Sequence, residues 1–410
     1  MVDPPTPTRE AGLARLAAFL PRAGTHYARL RNHDEGPGER QHVSGLSPWL
    51  RLRRVTEAEV VAAALHRHGE AAAQRFVDEV LWRTYWKGWL ELRPGVWTAF
   101  GAEVERARDG LGAAAARRLA DAEAGRTGIE GFDDWARELV QTGYLHNHAR
   151  MWFASIWSHT LGLPWALGAD FFLRHLLDAD PASNTLSWRW VVGLQTPGKQ
   201  YLARADNIHR CTGGRFRPQG LATEAPPPPP AAPPPQPRPL PPAHAGRLPK
   251  NTLWLLHPED LDPDSLLTPG AVADLVGAVA VDALQGPPAW PWGSHATAAT
   301  RGAVDDTLSR SPLLQPLDAR RLATGDPAEV LAAAHASGAG TVATAWAPVG
   351  PVADWLDEVE RALSAQGIGL LRLRRDWDSR LWPLATHGFF RFRQRATPLL
   401  SGLLPAPPQA

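Results

Sequence analysis

Between Tyr144 and Trp190 the chain reads YLHNHARMWFASIWSHTLGLPWALGADFFLRHLLDADPASNTLSWRW, which sets tryptophans at 152, 157, 165, 188 and 190 around Asn147, Arg150, Asp178, Asp180 and Asn184. Tryptophan is large and apolar and also readily oxidised. Such a cluster serves as core, as a stacking platform for a planar ligand, or as an electron path to a redox group. A plain core has no need of acids and amides threaded through it, because each buried polar group costs free energy unless it is partnered.

The other chemistry-bearing positions have bland readings to set beside the functional ones. In FVDEVLWRTYWKGWL, Glu79 and Arg83 stand four residues apart beside Trp82 and Trp86; an isolated pair of this kind is an i,i+4 ion pair next to an aromatic stripe. HNHAR, residues 146–150, has the letters of a metal-dependent nuclease, but no further ligands follow at the required spacing. On a helix Asn147, Arg150 and Met151 share one side, and two hydrogen-bonding groups beside a soft apolar one suit a ligand pocket. DADPASN, residues 178–184, reads either as a turn with an acid or serine capping the next helix, or as two carboxylates for ribityl or ribose hydroxyls and an amide for a ring nitrogen. Lys199, Arg204, Arg210, Arg215 and Arg217 crowd together after it, either as a solvated face or as phosphate contacts. His159 and His175 read as structural histidines, and no G-x-S-x-G nucleophile turn is present.

These residues need elements to hold them. At 410 residues, 44% hydrophobic and 21% charged, the chain suits two globular domains. The segment ATEAPPPPPAAPPPQPRPLPPAHAGRLP, residues 222–249, cannot form helix or sheet interiors and reads as an extended, semi-rigid spacer. Before it, 3.6-type periodicity over Leu13–Leu20, Glu57–Trp89, Val140–Thr160 and Ala169–Leu177 predicts an all-α domain, residues 1–221. After it, apolar runs at 252–258, 276–282, 340–348 and 368–375 alternate with helical patterns at 327–337 and 352–367, which predicts an α/β domain over 250–400 with a Rossmann-like parallel sheet. Residues 401–410 form a tail. No GxGxxG fingerprint or Walker loop supports a nucleotide there.

Bulk composition narrows the function. A net charge of +1 gives no global basic field, so nucleic-acid contact must rest on a local patch. One cysteine, Cys211, excludes a disulfide framework, a four-cysteine zinc site and a four-cysteine iron–sulfur cluster within the chain. MVDPPTPTREAG has no apolar run of signal-peptide length and no stretch approaches a membrane span, so a cytoplasmic protein without a metal is expected.

Taken together, the residues from about Tyr27 to Arg217 resemble the FAD-binding helical domain of the DNA photolyase/cryptochrome family, in family order. Tyr27 and Arg31, followed by VSGLSPWL at 43–50, are similar to the flavin-phosphate segment TSxLSPYL, with Val43 replacing a threonine; the resemblance implies that Ser44, Gly45, Leu46 and Ser47 cradle the pyrophosphate and that Arg31 faces DNA. DEVLWR, residues 78–83, resembles NELxWR, which implies proton handling at the lesion for Glu79, an aromatic wall for Trp82 and a flavin-side contact for Arg83. GYLHNHARM, residues 143–151, resembles GWMHNRxRM, placing Asn147 and Arg150 toward the flavin and Met151 in the substrate cavity, with His148 where lesion-repair members often carry an arginine for DNA phosphate. LLDADPASNTLSWRW, residues 176–190, resembles LxDGDxAxNxGxWQW, with Ala179 and Leu186 for its glycines; this assigns Asp178 and Asp180 to folded FAD, Asn184 to the isoalloxazine N5 region, Trp190 to the lesion pocket, and Trp188 and Trp165 to an electron relay. Arg204 joins the DNA-facing group. The third relay tryptophan has no aligned counterpart, and Trp97 is a candidate.

The implied activity is FAD-dependent, blue-light-driven splitting of cyclobutane pyrimidine dimers in UV-damaged DNA, with the dimer flipped out of the duplex. Asn147 and Met151 differ from the histidine pair of six-four photolyases, which favours the cyclobutane substrate. A cryptochrome-like photoreceptor that signals through a partner is the alternative, and a flavin-free helical binding module is a third. Family members place an α/β antenna domain first, whereas here the α/β part follows the linker. LLHPEDL (255–261) resembles the antenna domain's first strand and turn, and RDWDSRLWPLATHGFFRFRQRATPLL (375–400) resembles its end, which implies a circular permutation and possible room for a second, antenna chromophore.

Overall fold

The computed structural model describes residues 7–38, 40–196, 198–229, 232–282 and 292–405. The first six residues of the expected leaderless N-terminus and the last five of the 401–410 tail lie outside them. The first half is helical: α1 Arg9–Phe19, α2 Thr25–Leu30, α3 Ser47–Arg51, α4 Glu57–Glu91, α5 Gly95–Asp109, α6 Ala113–Glu123, α7 Phe132–Thr142, α8 Asn147–Ser155, α9 Trp165–His175, α10 Pro181–Val191 and α11 Ala205–Cys211. α4 starts on a capping box in which Thr56 and Glu59 satisfy each other's backbone N–H, and it is interrupted at Gly69, whose backbone is not helical.

The expected continuous helix over Val140–Thr160 is broken at Gly143. That residue ends α7 in the left-handed region at φ 67°, and a Cβ there would meet Leu177 Cγ at 2.6 Å. Apolar residues on both sides of the break carry the periodicity across it, which is why the spacing alone hides the turn. α8 then runs into a single π-helical turn, Ile156–Thr160.

The second half is built on β1 Thr252–Leu256, α12 Pro263–Leu266, α13 Pro269–Val272, β2 Leu275–Ala280, α14 Ser294–Arg310, β3 Arg320–Arg321, α15 Pro327–Ser337, β4 Thr341–Ala345, α16 Pro351–Ser364, β5 Gly369–Leu373, α17 Asp376–Leu381 and α18 Phe389–Ala396. The five strands form one parallel sheet in the order β3-β2-β1-β4-β5. Strand alternation sorts the side chains into two layers. Leu253, Leu255, Val279 and Val342 pack with Val330 of α15 and Trp355, Leu356 and Val359 of α16, while Trp254, Leu256, Ala278 and Ala343 face Ala303 and Val304 of α14.

The two halves are tied together by buried charge. The turn between α3 and α4 puts Arg53 Nη2 2.6 Å from Asp378 Oδ2 and Nη1 3.3 Å from Asp260 Oδ2, and Arg375 clamps the same Asp260 from the other side. Trp377 donates to Thr84 at 3.0 Å, and Phe389, Phe392, Ala396 and Leu400 join the core of the helical half. The proline-rich segment is strapped along the surface rather than hanging free: Arg93 donates to the Pro235 carbonyl at 3.0 Å, Arg238 N–H to Leu92 at 2.9 Å and Arg374 to Pro241 at 3.1 Å.

Candidate functional site

The residues from DADPASN meet the long helix at its buried end. Asp180 caps α10 through Ser183 N–H at 2.8 Å and lies 3.1 Å from Arg83 Nη1 and 3.4 Å from Lys87 Nζ. The ladder of α4 sets this up, because Arg83 and Lys87 are four residues apart and share a face. Arg51, at the end of α3, donates to the Ala179 carbonyl at 2.9 Å and pairs with Glu259 at 2.7 Å, while Arg83 also reaches Glu57 at 3.5 Å. Arg51, Lys87, Glu57 and Glu259, which spacing did not single out, thus complete the cluster around Asp180. Burial would raise the Asp180 carboxyl, yet the surrounding Lys87, Arg83 and Arg51 hold it well below the usual carboxylate range. The same burial pushes the Lys87 ammonium down, against the pull of Asp180.

Asp178 is held by a different helix. Arg150 of α8 donates from Nη2 to its Oδ2 at 2.9 Å and from Nε to the Leu145 carbonyl at 3.0 Å. Burial opposes ionisation of Asp178, but Arg150 and the Ser47 hydroxyl outweigh it and keep the carboxyl below its ordinary value. Asn184, one turn into α10, is buried and donates to the Ala169 carbonyl at 2.9 Å, which fixes its amide plane between α9 and α10. Ser44, Gly45, Leu46 and Ser47 make the tight approach to α3: Gly45 has φ 64°, Leu46 N–H meets Ser44 Oγ at 3.3 Å, and Arg15 holds the Ser44 carbonyl.

Asp178 Oδ1, Ser183 Oγ and Arg51 Nη1 are buried with no hydrogen-bond partner among the described residues, while Asp180 Oδ2 and Arg83 Nε are held by ion pairs alone. Orphaned buried acceptors and donors on one set of loops call for a polar ligand rich in hydroxyl and phosphate oxygen. A folded FAD matches that set: carboxylates for its hydroxyls, and guanidinium and hydroxyl groups for its pyrophosphate.

The residues expected at a lesion are distributed along the outer part of α4 and on α8 and α10. Glu79 is bonded to Arg31, with the buried Tyr27 beside them, and burial raises its carboxyl despite the Arg31 charge. Trp82 stacks on Phe389 of α18 with centroids 3.7 Å apart and planes 9° apart. Trp190 is half-buried and stacks on Tyr201 at 5.8 Å, and Met151 is likewise half-buried. His148 stacks on Trp152 at 4.3 Å, its Nδ1 lies 3.1 Å from the Asn32 carbonyl, and burial pushes its pKa down. Asn147 is exposed at the first residue of α8, one turn before the half-buried Arg150. Arg204 has 74% of its side chain exposed and is paired with Asp206 at 3.3 Å.

The tryptophans divide by environment. Trp188 lies against α9 so closely that a Cβ on Gly168 would meet its Cη2 at 2.3 Å; only glycine permits this approach. Gly168 is three residues from Trp165, so Trp188 and Trp165 neighbour the same stretch of α9. Trp165 continues to Phe100 at 5.6 Å and Phe100 to Trp97 at 5.6 Å, where Trp97 Nε1 donates to Asp354 Oδ2 of α16 at 3.0 Å. Trp152 and Trp157 are fully buried core. Among the described residues no group of three or more His, Cys, Asp or Glu side chains is placed to hold a metal, and no helix is long and apolar enough to cross a membrane.

Residues 76–219 match the family described as the FAD binding domain of DNA photolyase. A deoxyribodipyrimidine photo-lyase of Thermus thermophilus is 34% identical over 222 residues, 53% of this chain and 49% of that protein, and one of Streptomyces griseus is 31% identical over 207 residues, 47% and 44%. The chain therefore spans about half the length of the curated relatives it matches. Among solved structures, a class III photolyase of Agrobacterium tumefaciens is 26% identical at a TM-score of 0.42, covering 50% of this chain and 43% of that one. The family match begins at residue 76, so it takes in Glu79, Arg83, Arg150, Asp178, Asp180 and Asn184 but not the Tyr27–Ser47 segment. The segment that carries the buried Asp178, Asp180 and Asn184 is thus the one that matches the FAD binding domain of DNA photolyase.

Proposed function

We propose that the protein is a light-driven DNA repair enzyme that binds UV-damaged DNA, takes in a flipped cyclobutane pyrimidine dimer and splits it. The observation that carries this reading is the juxtaposition on α4 of Arg83, which faces the buried Asp180, and Glu79, a carboxyl raised by burial one turn away beside Trp82. Bound in reduced form, FAD would supply an electron on absorbing blue light. Splitting a cyclobutane dimer breaks its C5–C5 and C6–C6 bonds with no net redox change, so the chain must hold the lesion, exclude water and stabilise added negative charge.

In this reading Asp178 and Asp180 would accept from the flavin's hydroxyls, with Arg150 and Lys87 offsetting their charge. Arg83 and Ser44–Ser47 would hold the pyrophosphate, and the fixed Asn184 amide would lie toward the ring. Glu79, protonated to higher pH than a free glutamate, holds a proton at its carboxyl toward a pyrimidine carbonyl. Trp82 and Trp190 form aromatic walls that keep the cavity dry, with Met151 at its side. Trp188 and Trp165 would relay electrons toward a bound flavin, with Trp97 as the outer member of the chain.

The remaining parts follow from the same reading. Residues 1–221 act as the flavin domain, 222–249 as a strap and 250–400 as an α/β domain, with one parallel sheet, transposed to the C-terminal side in a circular permutation. We take the α/β half as a possible antenna domain and the protein as cytoplasmic. A blue-light photoreceptor is the second reading, favoured by His148: burial keeps its ring uncharged, so it offers no cation to a DNA phosphate. Absorption spectra of the purified protein, followed by ultraviolet-irradiated oligo(dT) under blue light, separate the two. Yellow protein that removes dimers only in the light supports repair, yellow protein that leaves them intact supports sensing, and colourless protein that stays so after FAD addition refutes both.

A further inference from the structure

Helix α18 carries an aromatic side chain that the fold leaves in solvent. Phe389, Phe392 and Ala396, spaced as one helix face, are buried against the helical core. Phe390 stands outside that face at 71% exposure, against 37–39% for the other exposed large apolar residues of the described chain, Leu13, Val140 and Val276. Its ring is backed by the Arg393 guanidinium at 5.6 Å, and Arg393 is itself fixed to Asp78 at 2.9 Å. Arg391 and Arg395, a helical turn apart, are exposed and make no ion pair among the described residues. The support is packed: Phe389 stacks on Trp82, and the Phe389 and Phe390 rings are 5.8 Å apart, so the exposed phenyl sits two rings from Trp82.

A phenyl held in water by a packed helix and flanked by unpaired arginines has the make-up of a side chain that enters a base stack, with cations for the phosphates on either side. Extruding a dimer from a duplex leaves a gap of that kind. We propose that Phe390 occupies the gap left by the extruded lesion while Arg391 and Arg395 contact the flanking phosphates, so that α18 is the element that engages damaged duplex rather than damaged single strands. This rests on the DNA-repair reading above.

The test is equilibrium binding in the dark by the full flavin-loaded chain, with a duplex carrying one thymine dimer, the same duplex undamaged, and irradiated single-stranded oligo(dT). Phe390→Ala should weaken binding to the damaged duplex by about tenfold, the size of one lost base–aromatic stack, while single-strand binding stays unchanged. Phe390→Trp should retain duplex binding, and Arg391→Gln with Arg395→Gln should lower the salt dependence of duplex binding by about two phosphate equivalents. Equal duplex affinity for Phe390→Ala and the unaltered chain overturns the wedge alone. Absence of any preference for damaged over undamaged duplex by the unaltered chain overturns the repair reading and the wedge with it. Self-association that disappears in Phe390→Ala assigns the surface to a second copy of the chain and also overturns the proposal. Because Phe390 is exposed, an unchanged flavin spectrum and unfolding midpoint in each variant show that the fold is intact.

Discussion

Arg150 and Asp178 meet at 2.9 Å across 28 residues of sequence, and the pair leaves the second carboxylate oxygen, Oδ1, buried and unpartnered among the described residues. A carboxylate kept ionised by Arg150 and the Ser47 hydroxyl, with Oδ1 left without a hydrogen bond among the described residues, is set up to accept from a ligand hydroxyl. Asp178→Asn keeps the shape and removes the charge. It should lower the flavin-to-protein absorbance ratio of the purified protein. The unfolding midpoint should fall by an amount equivalent to about 1–3 kcal/mol, less than for a fully buried pair because 23% of the Arg150 side chain is exposed. Stoichiometric flavin in Asp178→Asn would remove Asp178 from the cofactor site.

Glu79 gives a pH-dependent prediction with a definite sign. Its carboxyl is raised by burial, with Arg31 pulling the other way. Repair that needs the protonated acid should therefore be constant at low pH and decline as pH rises through a value above 4.5, the ordinary one for glutamate. Arg31→Ala removes the opposing charge and should move that decline to higher pH. Glu79→Gln should repair slowly, with a flat profile, and keep its flavin. Single-turnover repair of a dimer-containing oligonucleotide across a pH series reads all three, and flavin loss in Glu79→Gln would mean that the residue belongs to the cofactor site.

How far the sequence could be read depended on whether a contact was local. Leu253, Leu255 and their neighbours alternate along single strands, so four of the five strands and the helices α15 and α16 are legible from spacing. β3 is two exposed arginines and α14 is rich in alanine and threonine, so neither carries an apolar signal. In the site, Asp178, Asp180 and Asn184 stand in one short segment and could be named together. Arg51 and Lys87 owe their place to Glu259, more than 170 residues away, and Phe389 reaches Trp82 across the whole second half of the chain. No spacing rule reports such pairings, because they follow from how the two halves dock.

The aromatic route predicts an order of effects. Trp188→Phe should slow photoreduction of the bound flavin most, since its ring packs on Gly168 at the inner end, and Trp165→Phe should do the same. Trp97→Phe tests the outer end. It should shorten the lifetime of the charge-separated state by cutting the path at Phe100, while also removing the 3.0 Å bond to Asp354. Asp354→Asn serves as the control, because its amide oxygen can still accept from Trp97. Transient absorption after a blue flash distinguishes the variants, and a lifetime in Trp97→Phe equal to that of the unaltered protein would exclude Trp97 from the relay.

Glu91 provides a stability test of the contact between the halves. It lies at the end of α4 with 3% of its surface exposed, accepts the Val349 N–H at 2.6 Å, and is raised by burial to about 7. Its folded-state value lies above the 4.5 of an ordinary glutamate, so the folded protein binds the proton more tightly than the unfolded chain. Stability from this group is therefore fully present below about 4.5 and is lost as pH rises toward about 7. Glu91→Gln retains an acceptor for Val349 and removes the ionisation. It should match the unaltered chain near pH 4.5 and exceed it at pH 8 by up to about 3 kcal/mol, since each pH unit separating the folded and unfolded values is worth roughly 1.4 kcal/mol. Urea unfolding midpoints at the two pH values measure the difference; a variant equally destabilised at both would mean that the carboxylate is ionised in the folded protein and needed there.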